Sequence, residues 1–80
     1  MPEFRLVNRL KVARAERNLS QDELAKRVGV TRQTISSIET GQYGPSALLA
    51  FLLARDLEKP VAELFYLQEV IDDKAIHHTR

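Results

Sequence analysis

Apolar residues recur along this chain at intervals of three and four, the spacing that places them on one face of an α-helix. No stretch alternates apolar and polar residues for long enough to predict a β-strand. Glycines and prolines interrupt the helical pattern at a few positions and divide it into short segments. The pattern therefore predicts an all-α fold, a single compact domain of five helices.

End signals set the expected bounds of the first two helices. The first should cover about residues 5–17, and Asn18 is suited to the left-handed conformation that ends a helix. Ser20 and Glu23 have the spacing of a capping box, in which each side chain satisfies a backbone N–H group of the next helix. We expect that second helix to run to about Val28.

Three more helices follow from the same kind of signal, over about residues 32–39, 46–57 and 61–66. Residues 67–80 are less clearly patterned, but their apolar side chains allow a further or tail helix. The second and third helices are separated only by Gly29–Thr31, which predicts a helix-turn-helix over about 21–39. The residues expected to face the core are Leu6, Leu10, Ala13, Leu24, Ala25, Val28, Ile35, Ile38, Ala47, Ala50, Phe51, Ala54 and Leu57.

Composition narrows the class of protein. The chain has 80 residues, of which 44% are hydrophobic and 29% charged, as in globular domains. It has no cysteine, which excludes disulfides, thiolate zinc sites and cysteine nucleophiles. The longest apolar run is the eight residues Ala47–Ala54, against the roughly 20 that a transmembrane helix needs. No carboxylate stands with a base, a nucleophile and oxyanion donors, so we expect no enzyme.

The net charge of +1 is unevenly distributed along the chain. Residues 1–40 carry eight basic and five acidic side chains, whereas residues 41–80 carry four basic and six acidic ones. Such asymmetry is compatible with one half that faces a polyanion, although ordinary helical domains also show it.

Three segments carry a resemblance to a known family. Asn8–Ala25, Val28–Gly41 and Tyr43–Ser46 closely resemble the phage-repressor and Cro-like helix-turn-helix regulators, the xenobiotic-response-element family. The shared features begin with a Ser-Gln pair at the start of the second helix and a Val-Gly turn after it. The third helix then has an isoleucine and an Ile-Glu pair, followed by a glycine, and a Pro-Ser pair precedes the fourth helix. The resemblance covers about residues 6–66.

This resemblance implies a lambda-repressor-like domain that binds double-stranded DNA sequence-specifically, usually as a dimer, to control transcription. It implies a DNA-binding domain over residues 1–66, followed by a C-terminal extension over 67–80 that is a possible dimerisation segment. We expect a cytoplasmic, nucleoid-associated repressor without a cofactor.

The third helix is the candidate reader of DNA bases. Because Ile35 and Ile38 should face inward, the outward side chains are those of Arg32, Gln33, Ser36 and Ser37. The major groove admits one α-helix, where arginine pairs bidentately with guanine and glutamine with adenine. The family's base-contacting positions correspond to Arg32, Gln33 and Ser37, and less certainly to Ser36. The alternative is a solvated helix face.

The resemblance also implies contacts to the phosphate backbone. Gln21 and Thr31 begin two helices whose free N–H groups suit an anion, and Thr40, Gln42 and Tyr43 follow the third helix. The family often has lysine at the position of Gln42, and the uncharged glutamine would weaken electrostatic anchoring to the phosphates there. For Gln21 and Thr31 the alternative is simple helix capping.

Two further residues resemble a structural pair of the family. Arg14 and Glu39 correspond to a partly buried ion pair that joins the first helix to the end of the third. We therefore assign this pair to the fold and not to base reading.

The fourth helix departs from the family pattern because it is apolar all round. Leu48, Leu49 and Leu52 occupy positions expected to be polar or exposed, so a further surface must cover them. The cover would be the chain's own tail or a second subunit. We expect a homodimer built from Leu48, Leu49, Leu52, Leu67, Val70 and Ile71, which would suit a palindromic operator with half-sites about 34 Å apart.

A different class of function remains open. An antitoxin-like or other partner-binding protein would use the apolar helix 46–57 and the tail to hold another protein, and a helix-turn-helix that serves only as structure is a third interpretation. His77 and His78 have no third ligand beside them and suggest a solvated tail, so we expect no metal site.

Overall fold

The computed structural model describes residues 2–71. Within them the elements are β1 (Glu3–Asn8), α1 (Leu10–Glu16), α2 (Gln21–Val28), α3 (Arg32–Glu39), α4 (Ala47–Leu57), α5 (Val61–Leu64) and β2 (Phe65–Val70). The described part of the chain thus holds the five expected helices, and α2, α3 and α4 lie where they were predicted. The expectation of an all-α fold is wrong, because the first and last elements form a two-stranded antiparallel sheet.

The sheet joins residues that are far apart in sequence. Its register pairs Glu3 with Val70 and Asn8 with Phe65. Next to the sheet, the Arg9 N–H donates to the Leu64 carbonyl at 2.9 Å, which extends the hydrogen bonding between the two segments to the start of α1 and the end of α5. Residues 5–8 of the expected first helix are therefore strand, and so is the end of the expected fifth helix.

Residues 67–70, where the sequence allowed a further or tail helix, are strand instead. β2 continues through Val70 and crosses the boundary that was expected at residue 66. Residues 72–80, including His77 and His78, lie outside the described residues.

Helix ends form at the residues that the local signals predicted. Ser20 and Glu23 make the complete capping box at the start of α2. Gly29 ends α2 in the left-handed conformation at φ 77°, and Asn18 adopts φ 55° after α1. Because these ends are fixed by adjacent residues, their positions do not depend on the rest of the fold.

The core lies between the helices. Seven large side chains are less than 2% exposed, and they come from every helix: Leu10, Leu24, Ile35, Ile38, Leu53, Leu57 and Leu64. The predicted core residue Leu6 is instead in β1 and 42% exposed.

The buried face of α4 differs from the predicted one. Leu49 is 7% exposed and Leu53 is fully buried, whereas Phe51, which was expected in the core, is 65% exposed. Ala47, also expected there, is exposed. A helix that is apolar on all sides gives no sequence signal for the face that packs, so the facing elements decide it. No helix within residues 2–71 has the length and apolarity needed to cross a membrane.

Candidate nucleic-acid interface

α2 and α3 are joined by a turn whose geometry exposes one side of α3. Gly29 adopts a positive φ that other residues rarely take, and the Val30 N–H donates to the Ala25 carbonyl at 3.0 Å. Thr31 then caps α3 by accepting from the Thr34 N–H at 3.2 Å. With Ile35 and Ile38 buried, the opposite side of α3 faces outward.

The four predicted base-reading residues lie together on that outward side. Arg32 and Gln33 are exposed, and Ser36 and Ser37 follow one helical turn later, half-buried. Gln33 Nε2 donates to Ser37 Oγ at 3.4 Å. Arg32 makes no hydrogen bond or ion pair with any residue between 2 and 71, so its five donors are free for a ligand.

The predicted phosphate-contacting residues form two groups beside α3. Thr31 lies at its start, where its hydroxyl also bonds the Thr34 hydroxyl at 3.0 Å. Thr40 Oγ1 donates to the Ser36 carbonyl at 3.1 Å at the other end. The N–H groups of Gln42 and Tyr43 both donate to the Ser37 carbonyl, at 2.9 and 3.2 Å, which folds this loop back against α3.

Gln21 is less available than its position suggests. Its side chain is half-buried, and Nε2 donates to Glu39 Oε1 at 3.0 Å. One amide hydrogen and the amide oxygen remain for other partners. The structure therefore couples the start of α2 to the end of α3 through this side chain.

Arg14 and Glu39 form a two-point ion pair beneath this surface. Arg14 Nε lies 2.7 Å from Glu39 Oε2, and Nη2 donates to Oε1 at 3.2 Å. Arg14 Nη1 also donates to the Leu19 carbonyl at 2.8 Å. The Glu39 side chain is 4% exposed and that of Arg14 is 15% exposed. The pair thus ties α1, the loop before α2 and the end of α3 together.

These contacts determine the ionisation of both groups. Burial raises the pKa of Glu39, but the hydrogen bonds from Arg14 and Gln21 outweigh burial, and its pKa lies below the ordinary value. The hydrogen bond to Glu39 raises the pKa of Arg14. The carboxylate therefore stays ionised at neutral pH and is balanced by the guanidinium.

Asn8 is a positioning residue that the sequence pattern did not predict. Asn8 Nδ2 donates to the Ile38 carbonyl at 2.9 Å, and Oδ1 accepts from the Leu10 N–H at 3.1 Å. It therefore fixes the end of β1 against the end of α3. An asparagine shortly before a helix is a recognisable capping signal, but the expected helix start at residue 5 placed Asn8 inside the helix.

Most of the apolar residues assigned to a dimer interface are exposed, but Leu49 is not. Leu48 is 71% exposed, Leu67 66%, Ile71 65% and Val70 44%, and Leu52 is half-buried. Assigning Leu49 to an interface is wrong because that side chain packs in the core. The described tail does not serve as a cover for α4, because residues 65–70 pair with β1.

Comparison with known proteins identifies similar domains. A family model described as helix-turn-helix matches residues 10–64. An uncharacterised HTH-type transcriptional regulator of Methanocaldococcus jannaschii is 45% identical over 62 residues, which span 78% of this chain and 94% of that protein. The uncharacterised HTH-type transcriptional regulator YgzD of Bacillus subtilis is 42% identical over 62 residues, with the same coverage of each chain.

Solved structures show the same fold. The restriction-modification controller protein C.AhdI from Aeromonas hydrophila superimposes with a TM-score of 0.65 at 33% identity, covering 69% of this chain and 83% of that chain. A protein from Bacteroides fragilis superimposes with a TM-score of 0.70 at 28% identity, covering 76% of this chain and 98% of that chain.

Proposed function

This chain belongs to the phage-repressor and Cro-like (xenobiotic-response-element) family of helix-turn-helix transcription regulators, and we propose that it acts as a repressor. It reads a specific double-stranded DNA sequence in the major groove with α3, as a homodimer. We place it in the cytoplasm, associated with the nucleoid. The family is a class of DNA-binding regulators and not of enzymes, and the proposal includes no catalytic step.

The observation that carries this proposal is the free outward side of α3. Arg32 and Gln33 are exposed in the first turn of that helix, and buried isoleucines hold its opposite side in the core. A bidentate donor group and an amide in this position match the patterns that guanine and adenine present in the major groove. Ser36 and Ser37 are small enough to let the helix approach the bases closely.

Contacts at both ends of α3 would set its position on the DNA. Thr31 at the start and Thr40, Gln42 and Tyr43 at the end surround the reading residues with polar and backbone groups. Gln21 adds the amide hydrogen that Glu39 does not use. Such contacts to phosphates fix the register of a protein on the duplex and carry no sequence information themselves.

The exposed apolar side chains support a second copy as partner. Leu48, Leu67, Val70 and Ile71 are between 44% and 71% exposed, which is costly for a small domain that remains alone in water. A two-stranded sheet is also only marginally stable by itself. Symmetric pairing through Leu48, the half-buried Leu52 and the sheet would place two α3 helices toward one palindromic operator.

Selection of duplexes from a random library tests this proposal. At physiological salt, where non-specific binding is weak, we expect enrichment of a palindrome. Arg32→Ala should relax one position in each half-site at a cost of about 1–3 kcal/mol.

Arg17→Ala is the matched control. It removes the same charge from the residue that ends α1, where Arg17 forms an ion pair with the exposed Glu58, and it should leave the selected sequence unchanged. Failure of the folded protein to enrich any sequence would contradict the proposal. A reporter gene that carries the selected palindrome should be silenced by the protein if it is a repressor.

One observation favours a second function, that of a partner-binding or antitoxin-like protein. Leu48 and Phe51 lie one turn apart on α4 and are 71% and 65% exposed. In that case sedimentation equilibrium would show a monomer, and Phe51→Ser would abolish capture of another protein without changing the selected DNA. A dimer that enriches a palindrome would contradict this alternative as the main function.

A further inference from the structure

A small concavity opens on the DNA-reading side of α3. It has a volume of about 230 Å³ and is lined by Gln33, Thr34, Ser37 and Tyr43. Three of these residues belong to α3, whereas Tyr43 lies in the loop that follows it. The loop residue thus stands beside two of the predicted base-reading side chains.

The backbone holds Tyr43 in this position. Gly41 adopts a left-handed conformation at φ 81°, which turns the chain back along α3. The Tyr43 N–H then donates to the Ser37 carbonyl at 3.2 Å. This bond fixes the backbone of Tyr43 beside α3. Tyr43 is nevertheless 47% exposed, so part of its surface is open to a ligand.

The two sides of the concavity differ in chemistry. Gln33 and Ser37 contribute an amide and a hydroxyl joined by a hydrogen bond of 3.4 Å. Tyr43 contributes an aromatic ring. The Thr34 hydroxyl is bonded to that of Thr31 at 3.0 Å, so Thr34 has its methyl group left for other contacts.

This combination matches the major-groove edge of A·T pairs. Adenine presents N7 and the N6 amino group, which pair with a glutamine amide, and thymine presents an oxygen and a C5-methyl group that accepts apolar contact. One turn of α3 rises about 5.4 Å, which is about one and a half times the roughly 3.4 Å between successive base pairs. An amide and an aromatic ring lining one concavity therefore fall within one or two base-pair steps of each other.

We propose that Tyr43 is a specificity-determining residue, whose ring holds the methyl group of a thymine beside the adenine that Gln33 reads. This inference rests on the proposed function and adds base reading to the phosphate contact expected of Tyr43. The phenol hydroxyl lies at the far end of the ring and remains available for the phosphate. The two roles are separable, because one uses the ring and the other the hydroxyl.

The test uses the full-length protein and the palindrome selected from the random library. Each thymidine is replaced in turn by deoxyuridine, which lacks only the methyl group. For the wild type we expect the replacement at one position in each half-site to weaken binding about fourfold, which corresponds to the free energy of burying one methylene-sized group. Tyr43→Phe should keep this sensitivity, and Tyr43→Ala should lose it.

Tyr66→Ala is the matched control. Tyr66 is a tyrosine of similar exposure, 43%, but it lies in β2 and lines a different part of the surface. Because β2 belongs to the proposed dimer contact, this variant can lower the overall affinity, but the fourfold ratio between thymidine and deoxyuridine should be retained. Circular dichroism shows whether each variant is folded before its affinity is measured.

The outcomes separate the inference from the proposed function. If deoxyuridine weakens the wild type and Tyr43→Ala equally, or weakens neither, Tyr43 does not read thymine, although the protein still reads DNA. If Tyr43→Phe also loses the sensitivity to deoxyuridine, that sensitivity depends on the hydroxyl and not on the ring, and the inference is wrong. If no palindrome is enriched, the proposed function and this inference fall together.

Discussion

Removing Arg14 provides the sharpest test of how the reading surface is held in place. Arg14→Leu leaves the Glu39 carboxylate, 4% exposed, with the Gln21 amide as its one side-chain hydrogen-bond partner among residues 2–71. It also removes the donor to the Leu19 carbonyl. Leucine is apolar and keeps side-chain carbons as far as the δ position, so the variant removes the charge and the hydrogen bonds of the guanidinium but keeps the packing of the stem next to the backbone.

The expected loss is large for a domain of this size. Removing one partner of a buried ion pair costs about 3–5 kcal/mol, because the other charge stays buried without compensation. Stability of about 0.05–0.15 kcal/mol per residue gives this chain about 4–12 kcal/mol in total. At about 4–8 °C per kcal/mol, the midpoint of thermal unfolding should fall by at least about 12 °C.

The pH dependence of the free energy of unfolding shows whether the loss comes from the buried charge of Glu39. In the wild type the lowered pKa of Glu39 contributes stability that is present above the ordinary pKa of about 4.3 and is lost as the pH falls through the lowered value. In Arg14→Leu the effect of burial is no longer balanced by Arg14, so the pKa should rise and protonation should relieve the penalty. The difference between the two proteins should therefore shrink from pH 7 to pH 3.

Urea unfolding at several pH values measures this difference. Arg27→Leu is the control, since Arg27 makes an ion pair of similar length, 2.8 Å, with Asp56 but is itself 52% exposed, and its loss should cost far less than the loss of Arg14 because water screens an exposed pair. A loss below about 1 kcal/mol for Arg14→Leu at pH 7, or one that is the same at pH 3, would refute the interpretation of the pair as buried and charged.

Four further variants test the fold around the reading helix by urea unfolding. Gly29→Ala should cost about 1–2 kcal/mol, because φ is 77° there and no atom within 4 Å blocks a Cβ; an unchanged stability would show that this conformation is not strained. Leu53→Ala should cost about 2–5 kcal/mol and Phe51→Ala less than about 1 kcal/mol, and the reverse order would mean that α4 packs on its other face. Asn8→Ala should cost about 0.5–2 kcal/mol, because it removes both the bond to the Ile38 carbonyl and the acceptor for the Leu10 N–H at the start of α1; no loss would show that water replaces both bonds.

Helices and their ends could be predicted from the sequence because their signals are local. The capping box at Ser20 and the left-handed residues Asn18 and Gly29 each depend on a few neighbouring residues. The sheet could not be predicted in the same way. Each strand is only six residues long, and its partner is about sixty residues away, so neither segment has a pattern that distinguishes it from a helix end.

The fourth helix shows a second limit of the periodic pattern. With apolar residues on every side, several faces of α4 would bury similar area, and the sequence favoured a stripe that included Phe51. The structure buries the predicted Ala50, Ala54 and Leu57, but it buries Leu49 and Leu53 with them in place of Ala47 and Phe51. The choice is made by the shape of the elements that α4 contacts, which no segment of the chain encodes alone.

In the candidate site, too, some features follow from local sequence and others depend on tertiary contacts. Arg32 and Gln21 both begin helices, and the sequence assigns ligand contacts to both. Which of their atoms are free depends on residues elsewhere: Glu39 at the far end of α3 accepts one amide hydrogen of Gln21, whereas no residue between 2 and 71 engages the Arg32 guanidinium. Helical periodicity therefore predicts which side chains face outward, but only the tertiary contacts determine which of them can still bind DNA. By this criterion Arg32 and Tyr43 are freer than Gln21 to contact it.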